Sequence, residues 1–213
     1  LMTRRARNTL VYVDRYEGYP LMADKRPFIR GYLDKIIDVM DASLNEHPRT
    51  FAARFDLRFP TGLKVLAEDR VIDRFISSLK AKIQHARRRA GRRAEYKVHQ
   101  TSVRYVWGRE IGQRGRPHYH FVIFLNRDAF NSLGRYEQSR DNLYNRILEA
   151  WASALGIAVE GAIGLPHFPR NAIVRINARD PDSQDEFFYR ASYMAKAATK
   201  VIGRRHSFGG SRR

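Results

Sequence analysis

The chain contains no cysteine, which excludes disulfides, thiol catalysis and cysteine-ligated zinc together. It also lacks any apolar run of roughly 18 residues or more, the length a membrane-spanning helix needs. The opening residues, Leu1 to Thr9, are basic and have no apolar core, so no secretory signal is expected and the cytoplasm of a bacterial host is the expected compartment. Acidic residues are scarce. Only 22 Asp and Glu stand against 40 Lys and Arg, a net charge of +18. Such a chain repels itself and attracts polyanions. Hydrophobic residues still make up 43%, enough to build a core, which excludes a purely disordered basic tail. A length of 213 residues suits one domain with extensions.

Nucleic acid is the commonest partner of a strongly basic domain; an anionic membrane surface is the other. The basic residues are clustered. Arg87, Arg88, Arg89, Arg92 and Arg93 form one run, and Arg109, Arg114 and Arg116 surround a glycine-rich turn. Arg204, Arg205, Arg212 and Arg213 load the C-terminus. Tyr96, Tyr105, Trp107 and Tyr119 lie among them; they could stack on bases or belong to the core.

Hydrophobic spacing divides the chain. Residues 1–24 have no clear period. Residues 25–46 carry apolar side chains at helical spacing, so residues 1–48 read as an arm and an accessory helix. Residues 51–59 alternate, with Phe51, Ala53, Phe55, Leu57 and Phe59 on one face and Arg54, Asp56 and Arg58 on the other. Residues 68–89 read as a helix, 96–110 and 117–125 as strands joined by a turn at 112–115, 141–155 as a helix, 173–177 as a strand and 187–202 as a last helix. The expected fold is α+β: a ferredoxin-like, split βαβ antiparallel sheet with helices mainly on one face and the other face open. It occupies residues 49–203, and residues 204–213 form a basic flexible tail.

His118-Tyr119-His120 lies inside an apolar strand. Side chains alternate along a strand, so both imidazoles point to one face and can share a metal ion. Two solvated histidines on a sheet face would give the same triplet. The turn before them centres near Arg114. In a simple hairpin Glu110 then lies opposite His118, with Cβ atoms roughly 5 Å apart. Two histidines and a carboxylate with open positions suit a divalent cation, Mg²⁺ or Mn²⁺ where phosphate oxygens complete the shell. A bulge at Gly108 would instead turn Glu110 to the opposite face.

In the last helix, Tyr193, Lys196 and Lys200 fall on one stripe, extended by Tyr189. A phenol with a pKa of about 10 is a poor nucleophile at neutral pH. A neighbouring ammonium favours the phenolate, and a cation on the phosphate lowers the barrier further. An amphipathic basic helix with a packed tyrosine would give the same pattern.

Taken together, these segments resemble the HUH endonuclease superfamily of rolling-circle replication initiators. The apolar strand at 51–59, the His–hydrophobic–His of residues 118–120 and the Tyr-x-x-Lys of residues 193–196 appear in that family's order. The approach Glu110-Ile-Gly-Gln-Arg-Gly-Arg-Pro117 resembles that of filamentous (inovirus-type) phage and prophage replication proteins. The resemblance covers roughly residues 50–203. It implies an HUH endonuclease fold, with Glu110, His118 and His120 as ligands of a divalent ion, Mg or Mn. It further implies Tyr193 as the nucleophile, Lys196 as its electrostatic partner and Tyr189 as a possible second tyrosine. The implied reaction nicks single-stranded or origin-hairpin DNA through a 5′-phosphotyrosine link and frees a 3′-OH that primes synthesis, with a host helicase and polymerase as partners. Arg104, Arg114, Arg116 and Lys200 are the candidate DNA contacts. The same chemistry serves transposition and plasmid mobilisation. A non-catalytic nucleic-acid-binding domain and a hydrolase with no covalent intermediate are the other readings.

Overall fold

The computed structural model describes residues 9–62, 70–112, 115–198 and 207–212. Its strands are β1 (Leu10–Val11), β2 (Arg15–Tyr16), β3 (Tyr19–Pro20), β4 (Phe28–Ile29), β5 (Arg49–Arg58), β6 (Arg104–Ile111), β7 (Pro117–Asn126), β8 (Pro166–His167), β9 (Ile173–Asn177) and β10 (Phe208–Gly210). The helices are α1 (Arg30–Glu46), α2 (Arg70–Arg93), α3 (Leu143–Leu155) and α4 (Pro181–Ser192). The main sheet runs β10-β6-β7-β5, with β9 and β8 sharing the far edge of β5, and every neighbouring pair is antiparallel. β7 lies between β5 and β6 although it follows both, so β5–α2–β6 is a βαβ unit split by β7. The chain is thus a mixed α+β protein on a mainly antiparallel sheet. Among the described residues no helix is long and apolar enough to cross a membrane.

One face of the sheet meets α2 and α3. Phe51, Phe55, Trp107, Tyr119, Phe121 and Ile123 pack there against Phe75, Leu79, Ile147 and Trp151. Within this core Phe55 stacks on Phe121 at 5.3 Å, and Phe75 meets both Phe121 and Trp151 edge-on. The indole N–H of Trp151 donates to the Arg58 carbonyl at 2.8 Å, which ties α3 to the end of β5.

The other face is not open, contrary to the expectation from sequence. Ala52, Val106, Val122, Phe124, Val174 and Ile176 pack against Leu33, Ile36 and Met40 of α1 and Phe187 and Phe188 of α4. The helices therefore divide two and two. The seven residues from Tyr119 to Leu125 are all buried. An unbroken buried run of this kind marks a strand covered on both faces, where strict alternation would mark one covered face only.

Several boundaries move for tertiary reasons. α1 starts at Arg30, not near Lys25, because Phe28 and Ile29 pair with β1. β6 starts at Arg104, not near Tyr96: the stretch before it is held to Asn126 by the Thr101 hydroxyl, which accepts from the Asn126 backbone N–H at 2.8 Å, and by the Gln100 carbonyl. α3 is capped by Asn142, whose side chain accepts from the Asn145 N–H, and closes on Gly156 in the left-handed region. Within the segment expected to be a tail, Phe208–Gly210 forms β10 on the edge of β6. Gly209 is required there, because a Cβ would come within 2.7 Å of the Trp107 ring.

The last helix shows the largest shift. It was expected at 187–202. It begins at Pro181, with Asp180 as cap and proline in the first turn, and ends at Ser192. Residues Tyr193–Ala195 form a 3₁₀ turn. The distant N-terminal segment takes over the backbone: the Ser192 hydroxyl accepts from the Met22 N–H at 3.1 Å, the Ala197 N–H donates to the Pro27 carbonyl at 2.8 Å, and Lys196 bridges Phe28.

Candidate metal centre and the tyrosine beside it

The β6–β7 hairpin sets the candidate ligands. Its register is continuous from Arg104 opposite Phe124 to Ile111 opposite Pro117, with Gly108 opposite His120 and Glu110 opposite His118. No bulge interrupts it, so Glu110, His118 and His120 share the face expected. Their ligand atoms all lie within 4.8 Å of one another. Glu110 Oε2 is 3.2 Å from His120 Nε2 and 3.9 Å from His118 Nε2. The two imidazoles stand at right angles with centres 4.8 Å apart. Glu110 and His120 are buried and His118 is partly open.

β5 adds a residue that sequence reasoning did not assign to the site. Asp56 lies opposite His120, and its carboxylate is 2.5 Å from His120 Nδ1. Burial pushes the Asp56 carboxyl up, but the hydrogen bond from His120, with the charges of His120, Arg54 and His118, outweighs this and holds it below the usual carboxylate range. A carboxylate on Nδ1 fixes the imidazole with its proton on that side. In that tautomer Nε2 turns a lone pair toward Glu110, and it has no hydrogen-bond donor among the described residues. Lys196 Nζ reaches the same Glu110 oxygen at 3.4 Å but does not meet Nε2, and a cation between Nε2 and the carboxylate would satisfy the lone pair. Nitrogen and oxygen ligands about 2.1 Å from one ion are roughly 3–3.5 Å apart; the Glu110–His120 separation matches this, and the partly open His118, at 3.9 Å from Glu110, would move in by about half an ångström. The three residues could hold a metal ion. On the other side of β5, His167 Nδ1 lies 3.6 Å from the second Asp56 oxygen.

Tyr193 and Lys196 close over the ligands from the 3₁₀ turn, not from an α-helical stripe. In a 3₁₀ turn side chains at i and i+3 eclipse. Accordingly Lys196 Nζ sits 3.6 Å from the centre of the Tyr193 ring and 3.4 Å from Glu110 Oε2. The Tyr193 ring stands edge-on to His120 at 5.5 Å, and the Arg54 guanidinium covers the ring at 4.9 Å. Lys196 is 8% exposed, so its charge is held between carboxylate and phenol, where it is felt more strongly than in water. Tyr189 is 42% exposed and borders a cavity of about 280 Å³ between β5 and α4, whose wall includes Arg54.

The other expected contacts are scattered. Arg104 is at the far end of β6 and is bound to Glu46 through Nε and the guanidinium at 3.0 Å and to the Arg212 carbonyl. Arg116 is exposed at the hairpin and donates to the Thr61 hydroxyl at 3.1 Å. Arg114 and Lys200 lie outside the described residues. Of the aromatics, Trp107 and Tyr119 belong to the core, Tyr105 packs against it, and Tyr96 is 79% exposed. Asp56 and Arg54 left a signal in the sequence: they are the polar face of an otherwise apolar strand.

No solved structure matches this chain. It is similar to two proteins of Escherichia coli (strain K12), each described as uncharacterized. YfjJ is 32% identical over 184 residues, 81% of this chain and 88% of the relative, and YagK is 32% identical over 186 residues, 82% and 88%. With the characteristic domain of these proteins matched across residues 13–211, the chain belongs to the YagK/YfjJ C-terminal domain family.

Proposed function

We propose that this chain is an HUH-type, metal-dependent endonuclease that nicks and rejoins single-stranded DNA to initiate rolling-circle replication. The observation that carries the reading is the convergence of Glu110, His118 and His120 beneath Tyr193 and Lys196. The split βαβ sheet, with the histidines on its central strand, supports the HUH assignment. The net charge of +18 supports a nucleic-acid substrate.

Glu110, His118 and His120 would hold Mg²⁺ or Mn²⁺, which when bound polarises a phosphate oxygen and offsets charge developing on it. Asp56 keeps His120 in the ligating tautomer. Tyr193 supplies the nucleophile: its phenol gives up a proton, the oxygen bonds to phosphorus, and the P–O3′ bond breaks. The 3′ oxygen leaves as a hydroxyl after taking a proton, and the 5′ phosphate stays on the tyrosine. Attack by a 3′-OH reverses the step and rejoins the strand. Lys196 favours the phenolate and, beside the ligands, would also stabilise charge on the scissile phosphate. Tyr189, one turn earlier, is available for a second transfer. A host helicase and polymerase would extend the freed 3′ end.

The test is incubation with Mn²⁺ and end-labelled single-stranded oligonucleotides of mixed sequence, resolved on denaturing gels. A protein–DNA adduct that survives SDS, mapped to Tyr193 by mass spectrometry, is expected. Cleavage with no adduct would replace this reading with a simple hydrolase. Failure to bind any divalent ion would remove its basis.

A further inference from the structure

The arginine run at the end of α2 is far from the histidines and has no part in the chemistry above. Its C-terminal turns form one wall of a cleft of about 410 Å³; the segment after β7 and the start of α3 form the other. Arg87, Arg89, Arg93, Arg127 and Arg146 line it around Phe130. Two carboxylates also line it, and both are engaged. Asp128 pairs with Arg49 at 3.2 Å, and Asp141 is shared between Arg89 and Arg146. Arg89 and Arg146 are thus taken up by Asp141, which leaves Arg87, Arg93 and Arg127 in the cleft with no carboxylate partner among the described residues.

This crowding is costly as it stands. Arg87 and Arg146 lie over Phe130 at 5.6 and 6.0 Å, and Arg87 Nε is buried without a hydrogen-bond partner among the described residues. Burial lowers the Arg146 pKa, Asp141 and Glu149 oppose it, and the charges of Arg89 and Arg87 lower it again. An anion in the cleft would relieve both the repulsion and the unmet donor.

We infer that this cleft is a second nucleic-acid site, which grips backbone phosphates of the DNA at a distance from the metal centre. The two sites lie toward opposite ends of β7. Six residues separate His120 from Asn126, about 20 Å of strand, and the cleft lies on the α2–α3 side of the sheet, away from the face that carries the histidines, so it would hold DNA that runs past the metal centre. The shape favours a phosphate backbone over a membrane. The aromatic ring is recessed between guanidiniums and does not protrude, and a concave wall of forked donors suits a ridge of phosphates. This inference stands on the cleft alone and does not require that the protein nick DNA.

The test compares two variants of equal charge in the 213-residue chain. Arg93→Ala with Arg127→Ala removes two cleft residues that make no ion pair within the described part of the fold. Arg88→Ala with Arg92→Ala removes two exposed arginines on the same turns of α2 that do not line the cleft. A third variant, Ser132→Glu, adds a negative charge at an exposed cleft position. Binding to a labelled 30-mer duplex is followed by anisotropy across a salt series. The cleft pair should flatten the slope of log affinity against log salt by about two units, and Ser132→Glu should weaken binding at least tenfold at low salt. The Arg88/Arg92 pair should change the slope by less than half a unit. Equal effects from both pairs would show general charge attraction and overturn the site, as would no effect from Ser132→Glu. Loss of binding to anionic phospholipid vesicles, with duplex binding unchanged, would assign the cleft to a membrane surface instead.

Discussion

The two faces of the central sheet use the same strands and meet different fates. Toward α2 and α3, β5, β6 and β7 present Phe51, Phe55, Trp107, Tyr119 and Phe121 from end to end, and all are buried. Toward α1 and α4, the same strands are apolar only over one half, at Ala52, Val106, Val122 and Phe124. The other half carries Arg54, Asp56, Glu110, His118 and His120, and still Glu110 and His120 are only 3% exposed. Burying polar and charged groups costs several kcal/mol where they are not paired. An apolar pair of faces would serve stability better, so the polar half is the part of the sheet shaped by something other than folding.

That contrast gives a double dissociation as the largest expected effect. Changing His118 and His120 together to Ala should remove measurable Mn²⁺ binding in calorimetry and leave a cooperative thermal melt. Phe121→Ala, between them and the next core layer but facing the other way, should cost about 3–5 kcal/mol of stability and leave Mn²⁺ affinity within about threefold of wild type. Metal loss in Phe121→Ala, or unaltered Mn²⁺ affinity in the histidine pair, would break the division between the faces.

Next in size is the oxygen on Tyr193. Tyr193→Phe keeps the ring that contacts His120, Arg54 and Lys196. It should retain DNA and Mn²⁺ binding and lose the covalent adduct outright. Lys196→Ala should slow adduct formation without abolishing it, and Tyr189→Phe should leave the first cleavage unchanged. An adduct in Tyr193→Phe mapped to Tyr189 would move the nucleophile one turn back.

Asp56→Asn probes the polar half at one remove. Asparagine keeps the shape but withdraws the charge that holds the His120 proton on Nδ1. Mn²⁺ affinity should fall about 10–100-fold with the melt little changed. An affinity equal to wild type would mean that His120 is oriented by the sheet alone.

How far the sequence disclosed this arrangement follows from the reach of each constraint. The β6–β7 pairing was legible because a short turn fixes it: every pair in the observed register sums to 228, as a simple hairpin about Arg114 requires. Asp56 was visible as the polar face of β5 but could not be placed, since β5 and β7 are joined only through α2 and β6 and no turn fixes their register. The end of α4 is not legible locally, because composition favours helix as far as residue 202. What stops it is Met22, Pro27 and Phe28, more than 160 residues away. The cover on the second face is hidden for a related reason. No short turn ties α1 to β6 or β7, yet its Ile36, Val39 and Met40 share a core with Val106, Val122 and Phe124.

The smallest expected effect concerns Arg104, which alternation places on the ligand face and which was therefore a candidate DNA contact. The structure puts it six residues along β6 from Glu110, about 20 Å by strand rise, in the apolar half. There it binds Glu46 of α1, whose carboxylate also accepts from the Ser102 hydroxyl. A partly exposed ion pair of this kind contributes about 0.5–1 kcal/mol. Arg104→Ala should lower stability by that amount in denaturant titration and change DNA affinity less than twofold. Arg116→Ala, at the exposed hairpin beside the ligands, should cost nothing in stability but flatten the salt dependence of DNA binding by about one unit. If Arg104→Ala flattened that slope as much as Arg116→Ala, the apolar half of this face would also contact DNA, and the boundary between a half that folds and a half that acts would have to be moved past Val106.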